Sequence, residues 1–230
     1  MSGAESLSEN WGIVVPALDE EKSIGSTLEP LLAWCDGPVL VVDGGSKDET
    51  LALAESAGAR VISSQQQGRA AQMNEGAAEI DCENLLFVHA DTRVKPETLD
   101  AMATAMQDHP DYLGGGFERY FDSPSSWLLW TSRVAWTRSR RTGLILGDQG
   151  IFARRSAFEE AGGFSESFGQ GEDIDFSLKL RRLGPTVLIG PPVLSSPRRF
   201  EKRLLRRSLA DAALTLKLVA RHKWRLWRKL

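Results

Sequence analysis

Four carboxylates in this 230-residue chain sit where the local pattern could give them chemistry. Leu85-Leu86-Phe87-Val88-His89-Ala90-Asp91-Thr92 is a short apolar run that stops at an acid. Such a run, bounded by polar residues, reads as a strand buried on both faces. Its carboxyl end delivers Asp91 to the rim of a sheet, where ligands of open α/β sheets sit. There Asp91 could hold a metal ion against a phosphate, or cap the following turn; the local stretch leaves both open. Val39-Leu40-Val41-Val42-Asp43 is a second buried strand ending in an acid. Glu172-Asp173 follows Gly169-Gln170-Gly171 at the start of a helix that Ile174, Leu178 and Leu180 anchor to a core. Acids at a helix start gain from its dipole, and one of these two could also act as a general base at the rim.

The elements between these acids decide whether they can meet. Trp11 to Ala17 is a strand signal ended by proline, and Asp19 to Ser23 opens a helix with acids in its first turn. Ile24, Leu28, Leu31 and Leu32 give that helix an apolar face, with Pro30 set to kink or break it. After Asp43, Gly44-Gly45-Ser46 turns the chain and Lys47 to Thr50 starts a helix that ends at Gly58. Arg60 to Ile62 is a short strand, Gln65 to Arg69 a polar loop, and Ala70 to Ala78 a small-residue helix. Strands alternating with helices over about 80 residues imply a parallel sheet with right-handed crossovers. Successive strand ends then share a rim, so Asp43 and Asp91 can face one crevice.

Further on, Pro96 to Met106 reads as a helix and Gly114 to Phe121 as a glycine-rich strand. Gly147 to Ala153 is a loop entering a strand, Arg154 to Ala161 a helix, and Thr186 to Ile189 a last strand. Trp127, Trp130, Val134 and Trp136 are interleaved with Arg133, Arg138, Arg140 and Arg141. The 42% hydrophobic and 26% charged content is that of an ordinary soluble globular protein. Two cysteines, Cys35 and Cys82, give neither a disulfide framework nor a zinc spacing. With a polar stretch at Met1–Asn10 and no apolar run near the length of a bilayer span, the expected location is cytoplasmic.

The segments Val14-Val15-Pro16-Ala17-Leu18-Asp19-Glu20-Glu21, Val41 to Thr50, Gly68 to Ala77 and His89-Ala90-Asp91-Thr92 come in a fixed order, continued by Gly147 to Phe164 and Gly171 to Phe176. Together these motifs resemble family 2 glycosyltransferases of GT-A fold, over about residues 11 to 200. The resemblance implies a mostly parallel central sheet flanked by helices over 11–197, a nucleotide-diphospho-sugar donor carrying UDP or GDP, and an acceptor hydroxyl. Pro16, Asp19, Glu20 and Asp43 would line the nucleoside pocket, with Gly44 and Gly45 letting the backbone approach. Arg69 and Asn74 would support the base or diphosphate. Asp91 matches the last acid of the family's Asp-x-Asp element, with Ala90 beside it, and would bind Mg²⁺ or Mn²⁺. His89 stands where the first acid would be; it could ligate the cation, bond the ribose or a phosphate, or cap the strand. Asp173, beside Glu172, matches the acid that deprotonates the acceptor, a geometry that inverts the anomeric carbon. Arg198 and Arg199 match a loop that closes over the diphosphate in some relatives, or else simply begin the tail.

Two rivals remain open. A sugar-1-phosphate nucleotidyltransferase would want a glycine-rich basic loop after the first strand, and this chain has acidic Asp19-Glu20-Glu21 there. A non-catalytic nucleotide-binding or scaffold relative would explain His89 as lost metal binding. The stretch 198–230 holds 12 of the 28 Lys/Arg and only two of the 31 acids. Leu205, Leu209, Ala212, Leu216 and Val219 recur in it at helical spacing, so it reads as a basic amphipathic helical tail. That tail could pack on the domain, on a second subunit as a homodimer, or on a membrane surface, which would suit a lipid-linked acceptor. Nucleic acid is disfavoured as a partner by the acidic remainder of the chain.

Overall fold

The computed structural model describes residues 7–168 and 171–198, so Arg199 and the basic tail beyond it lie outside the described residues. Its strands form one sheet in the order β3-β2-β1-β4-β7-β6-β8-β5. The first half is β1 (Trp11–Ala17), β2 (Val39–Asp43), β3 (Arg60–Ser63) and β4 (Asn84–Phe87), all parallel, as the alternation of strands and helices requires. Every residue of β1, β2 and β4 lies inside the sheet's packing, which is why these strands read as continuous apolar runs.

The sheet is mostly parallel, and its second half brings in two strands of the opposite direction. β7 (Ile151–Arg154) runs antiparallel to β4 and to β6 (Gly114–Phe121), while β8 (Thr186–Ser195) runs parallel to β6. The two-residue β5 (Thr92–Arg93) closes the far edge against β8. Reversing β7 places its amino end, Ile151, beside Phe87 at the carboxyl end of β4. The turn preceding β7 is thereby brought to the same rim as the loops that follow β1, β2 and β4. β8 continues to Ser195, past Ile189, where the sequence reading ends this strand. A register shift against β6 between Phe117 and Arg119 accommodates the prolines.

Side chains alternate across the sheet into two cores. Ile13, Val15, Val41 and Leu86 pack beneath α1 (Ile24–Trp34) and α4 (Pro96–Asp108). Val14, Leu40, Val42, Leu85 and Phe87 pack beneath α3 (Arg69–Ala78), α6 (Arg155–Glu160) and α7 (Glu172–Leu183). α3 and α7 each lead into a strand that runs in the β4 direction, so both helices present their amino ends to the rim. α2 (Thr50–Ser56) flanks the β3 edge. α5 (Ser126–Thr142) follows β6 and buries only Leu128, Ser132 and Ser139.

α1 begins at Ile24, not Asp19. Asp19 has φ 53°, in the left-handed region, and the acids of 19–21 bond across to the next loop instead. Pro30 lies within α1 without ending it; the carbonyl it leaves without an amide belongs to exposed Ser26. Among the described residues no helix is long and apolar enough to cross a membrane.

The small residues of α3 let it lie close on the sheet. A Cβ at Gly76 would stand 2.4 Å from Val14 Cγ1 and 2.9 Å from Val42 Cγ2. Gly76→Ala should therefore lower stability by roughly 1–2 kcal/mol, overpacking outweighing the gain in helix propensity. A lower urea midpoint at unchanged slope is the expected result.

Candidate active site

A cleft of about 650 Å³ opens at the carboxyl ends of β1, β2 and β4. Pro16, Asp19, Glu20, Gly44, Gly45, Arg69, His89, Ala90 and Asp91 all line it. It also takes in Lys47 and Gln72, which the sequence did not single out.

The cleft's floor is two loops joined by hydrogen bonds. The Asp19 amide donates to Ser46 Oγ (3.0 Å) and the Lys47 amide to Asp19 Oδ1 (2.8 Å). The Glu20 amide donates to Thr50 Oγ1 (2.8 Å). Asp43, buried behind this floor, accepts from the amides of Gly45 (2.9 Å) and Ser46 (3.0 Å) and from Ser46 Oγ (2.5 Å). Its carboxylate thus shapes the glycine turn, in which Gly45 adopts φ 96°. Gln72 Nε2 donates to Ala17 O (2.9 Å) and Val42 O (2.7 Å), tying α3 to both strand ends. A Cβ at Gly44 would stand 3.0 Å from that same nitrogen. Asn74 is turned away from the cleft: its Nδ2 donates to Phe164 O (2.8 Å) and its Oδ1 accepts from the Phe164 amide (2.9 Å).

Glu20 is buried at the rim. It accepts from Ser23 Oγ (2.7 Å) and pairs with Arg198 (2.6 Å), whose guanidinium also meets Ser23 Oγ (2.9 Å). Arg198 lines a neighbouring cavity of about 280 Å³, and Asp91 borders both spaces.

Behind Arg69, which lines the cleft, the amino ends of α3 and α7 meet; Glu172 and Asp173 are not themselves among the cleft's lining residues. Glu172 has no exposed side-chain surface; its Oε1 pairs with Arg69 Nε at 2.5 Å and its Oε2 accepts from the Gly171 amide at 2.9 Å. Next to it, Asp173 Oδ2 accepts from the Gly147 amide (2.6 Å) and Oδ1 from the Ile174 amide (2.8 Å). Burial and the Glu172 charge push the Asp173 carboxyl up to about 6, against the opposing pull of Arg69 and the two amides. A Cβ at Gly147 would stand 2.7 Å from His89 Nε2 and 3.2 Å from Asp173 Oδ2, so only glycine lets these two groups share that corner.

Gly147 itself is held by Gln149, a residue the sequence pattern gave no reason to select. Gln149 Nε2 donates to Phe117 O (3.0 Å), and its Oε1 accepts from the Leu146 amide (2.9 Å) and Ser139 Oγ (3.2 Å). Between them, Asp148 pairs with Arg119 (3.1 Å), a buried guanidinium lying 3.9 Å over the Phe121 ring. The only signal for Gln149 in the sequence was its setting, a polar residue followed by glycine and a strand.

Among the described residues no three His, Cys, Asp or Glu side chains stand together as a metal-binding group. Asp91 and His89 do share the cleft, and such a sparse donor set fits a hard cation that keeps most of its waters and takes phosphate oxygens.

The sequence profile of glycosyl transferase family 2 matches residues 12–160. The chain belongs to that family. A glucosyl-3-phosphoglycerate synthase of Mycolicibacterium paratuberculosis is 47% identical over 57 residues, which is 24% of this chain and 17% of the relative. S. aureus TarS 1–349 in complex with UDP-GlcNAc superposes with a TM-score of 0.61 at 21% identity, covering 81% of this chain and 58% of that one. The glucosyl-3-phosphoglycerate synthase of Mycobacterium tuberculosis, in complex with Mn²⁺, UDP and glucosyl-3-phosphoglycerate, gives 0.60 at 20% identity, covering 79% and 70%. Both structures share the family 2 fold seen here. The chain spans only a small part of the curated relative and less than two thirds of TarS.

Two predictions follow from the α3–α7 contact. Arg69→Met leaves Glu172 buried without its countercharge and should cost on the order of 3 kcal/mol, most of it recovered in Arg69→Met/Glu172→Gln; denaturant titration measures both. The raised carboxyl of Asp173 means that the folded protein holds its proton over a window, from the ordinary 3.8 to about 6, in which the unfolded chain has lost it. Stability therefore falls as pH rises through that window, and the penalty is complete above about 6. Asp173→Asn, which cannot ionise, should melt higher than the parent at pH 7.5, by roughly 1–2 kcal/mol, and close to it at pH 4.

Proposed function

We propose that this chain transfers a sugar from a uridine diphosphate donor to an acceptor hydroxyl, with inversion at the anomeric carbon. The observation that carries the reading is Asp173: a carboxyl raised to about 6, aimed by the Gly147 amide, close behind His89 and Arg69, which line the cleft of strand-end loops. UDP as the donor nucleotide is supported by the UDP complexes of the two structural relatives.

In this reading Asp173 takes the proton of the acceptor hydroxyl as that oxygen bonds to the anomeric carbon, and the bond from that carbon to the diphosphate oxygen breaks with its electron pair. A pKa near 6 leaves Asp173 ionised at neutral pH yet basic enough to accept the proton. Arg69 and Lys47 supply positive charge along the cleft for the diphosphate, and Asp19 and Glu20 supply acceptors for the nucleoside hydroxyls. Asp91, with His89 beside it, would hold a divalent cation, which when bound neutralises charge on the leaving diphosphate. The acidic, hydrogen-bonded loop after β1 speaks against a nucleotidyltransferase, whose substrate triphosphate it would repel.

The test is a panel of nucleotide sugars assayed for slow donor hydrolysis, beside calorimetry of UDP and GDP with and without Mn²⁺. UDP should bind more tightly with Mn²⁺, and Asp91→Asn should remove that increment. Asp173→Asn should lower turnover by at least a hundredfold with UDP affinity nearly unchanged, and the parent's rate should climb with pH through about 6 and level off. Full activity in Asp173→Asn removes it as base; absence of any nucleotide binding overturns the transferase reading altogether.

A further inference from the structure

α5 carries a face that the fold does not use. Leu128, Ser132 and Ser139 are its buried residues, and the opposite side presents Trp127, 40% exposed, Trp130, 54%, and Val134, 48%. Exposed arginines 133, 140 and 141 flank these apolar residues, and the 17-residue helix contains four arginines and no acid. Exposed tryptophans beside a cationic stripe on one helix fit the boundary between lipid acyl chains and anionic headgroups, where indole and guanidinium both find their preferred surroundings.

We infer that α5 is a docking surface for an anionic lipid bilayer. Other occupants fit less well. A second copy would bring two arginine-rich, acid-free faces together. The basic stretch 198–230 meets the same repulsion, with 12 Lys/Arg against two acids. A nucleic acid would need open indole faces for its bases, but the Trp127 and Trp130 rings lie on one another, with centroids 5.0 Å apart and an interplanar angle of 31°. The placement bears on chemistry as well. Residues 143–146 alone separate α5 from Gly147, whose amide holds Asp173, and Ser139 of the helix bonds to Gln149 in the same turn. A bilayer on α5 lies next to the turn that holds Asp173.

Cosedimentation of the full chain with vesicles of phosphatidylcholine alone, and of equal parts phosphatidylcholine and phosphatidylglycerol, tests the surface. The parent should bind only the anionic vesicles. Arg133→Gln/Arg140→Gln/Arg141→Gln should lower partitioning about a hundredfold, at roughly 1 kcal/mol per basic residue. Trp127→Ser/Trp130→Ser should also lower it, and should lose the quenching of tryptophan fluorescence by brominated lipid. Because the three arginines are exposed, their variant tests the surface even if the tryptophan variant fails to fold. A parent that ignores anionic vesicles, or arginine variants that bind like the parent, overturns the inference; so does an oligomeric state that drops in the α5 variants. UDP calorimetry on the same samples keeps this result separate from the transferase reading, since α5 variants should bind UDP as the parent does.

Discussion

The buried carboxylate of Glu172 is the constraint on which the rest of the site depends. An anion without solvent contact survives only where charge and hydrogen bonds replace its water, and here Arg69 and the Gly171 amide do so. That requirement fixes the amino end of α3 against the amino end of α7, two elements more than 100 residues apart in sequence. Arg69 cannot leave Glu172 without exposing an uncompensated charge, so the cleft wall that it forms is rigid. The same negative charge, one residue from Asp173, helps to raise that carboxyl to about 6. One buried acid thus locates the wall and tunes its neighbour.

The reversal of β7 completes the arrangement. Were the sheet parallel throughout, the turn at Gly147 would lie at the opposite edge. Running antiparallel to β4, β7 starts at the rim, and the turn before it reaches Asp173. Gln149 then secures the turn to β6 and α5 through bonds from both ends of its amide. A buried amide with each end satisfied holds a backbone position more firmly than apolar packing, because any displacement leaves polar groups unpaired.

Much of this was legible in the chain. Continuous apolar runs reported strands buried on both faces, and their alternation with helices reported a parallel half-sheet, so Asp91 and Asp43 could be placed at a rim; Glu20 and Arg69 came only from the family resemblance. What periodicity reports is burial and direction; it does not report which partner a polar side chain finds across a long stretch of sequence. Asp43 and Asn74 were located correctly along the chain, yet one spends its carboxylate on the Gly44-Gly45-Ser46 turn and the other its amide on Phe164. Gln72 and Gln149 went unread for the same reason. The start of α1 was misplaced because the acids of 19–21, good first-turn residues by propensity, bond instead to the loop after β2, and tertiary contacts outweighed the local preference. β5 is two residues long, too short to leave any periodicity.

His89, which stands where the family resemblance would put an acid, meets the same charges. Its ring and the Asp173 carboxylate approach a common point above Gly147. Asp173 already sits beside one carboxylate, and its elevation reflects that charge together with burial. A second acid at position 89 would add repulsion across a few ångströms of partly desolvated space and raise Asp173 further. An imidazole keeps a donor atom at the end of β4 without adding negative charge to this corner. The substitution at 89 and the buried pair at 69 and 172 therefore belong to one charge balance, and each limits what the other position can hold.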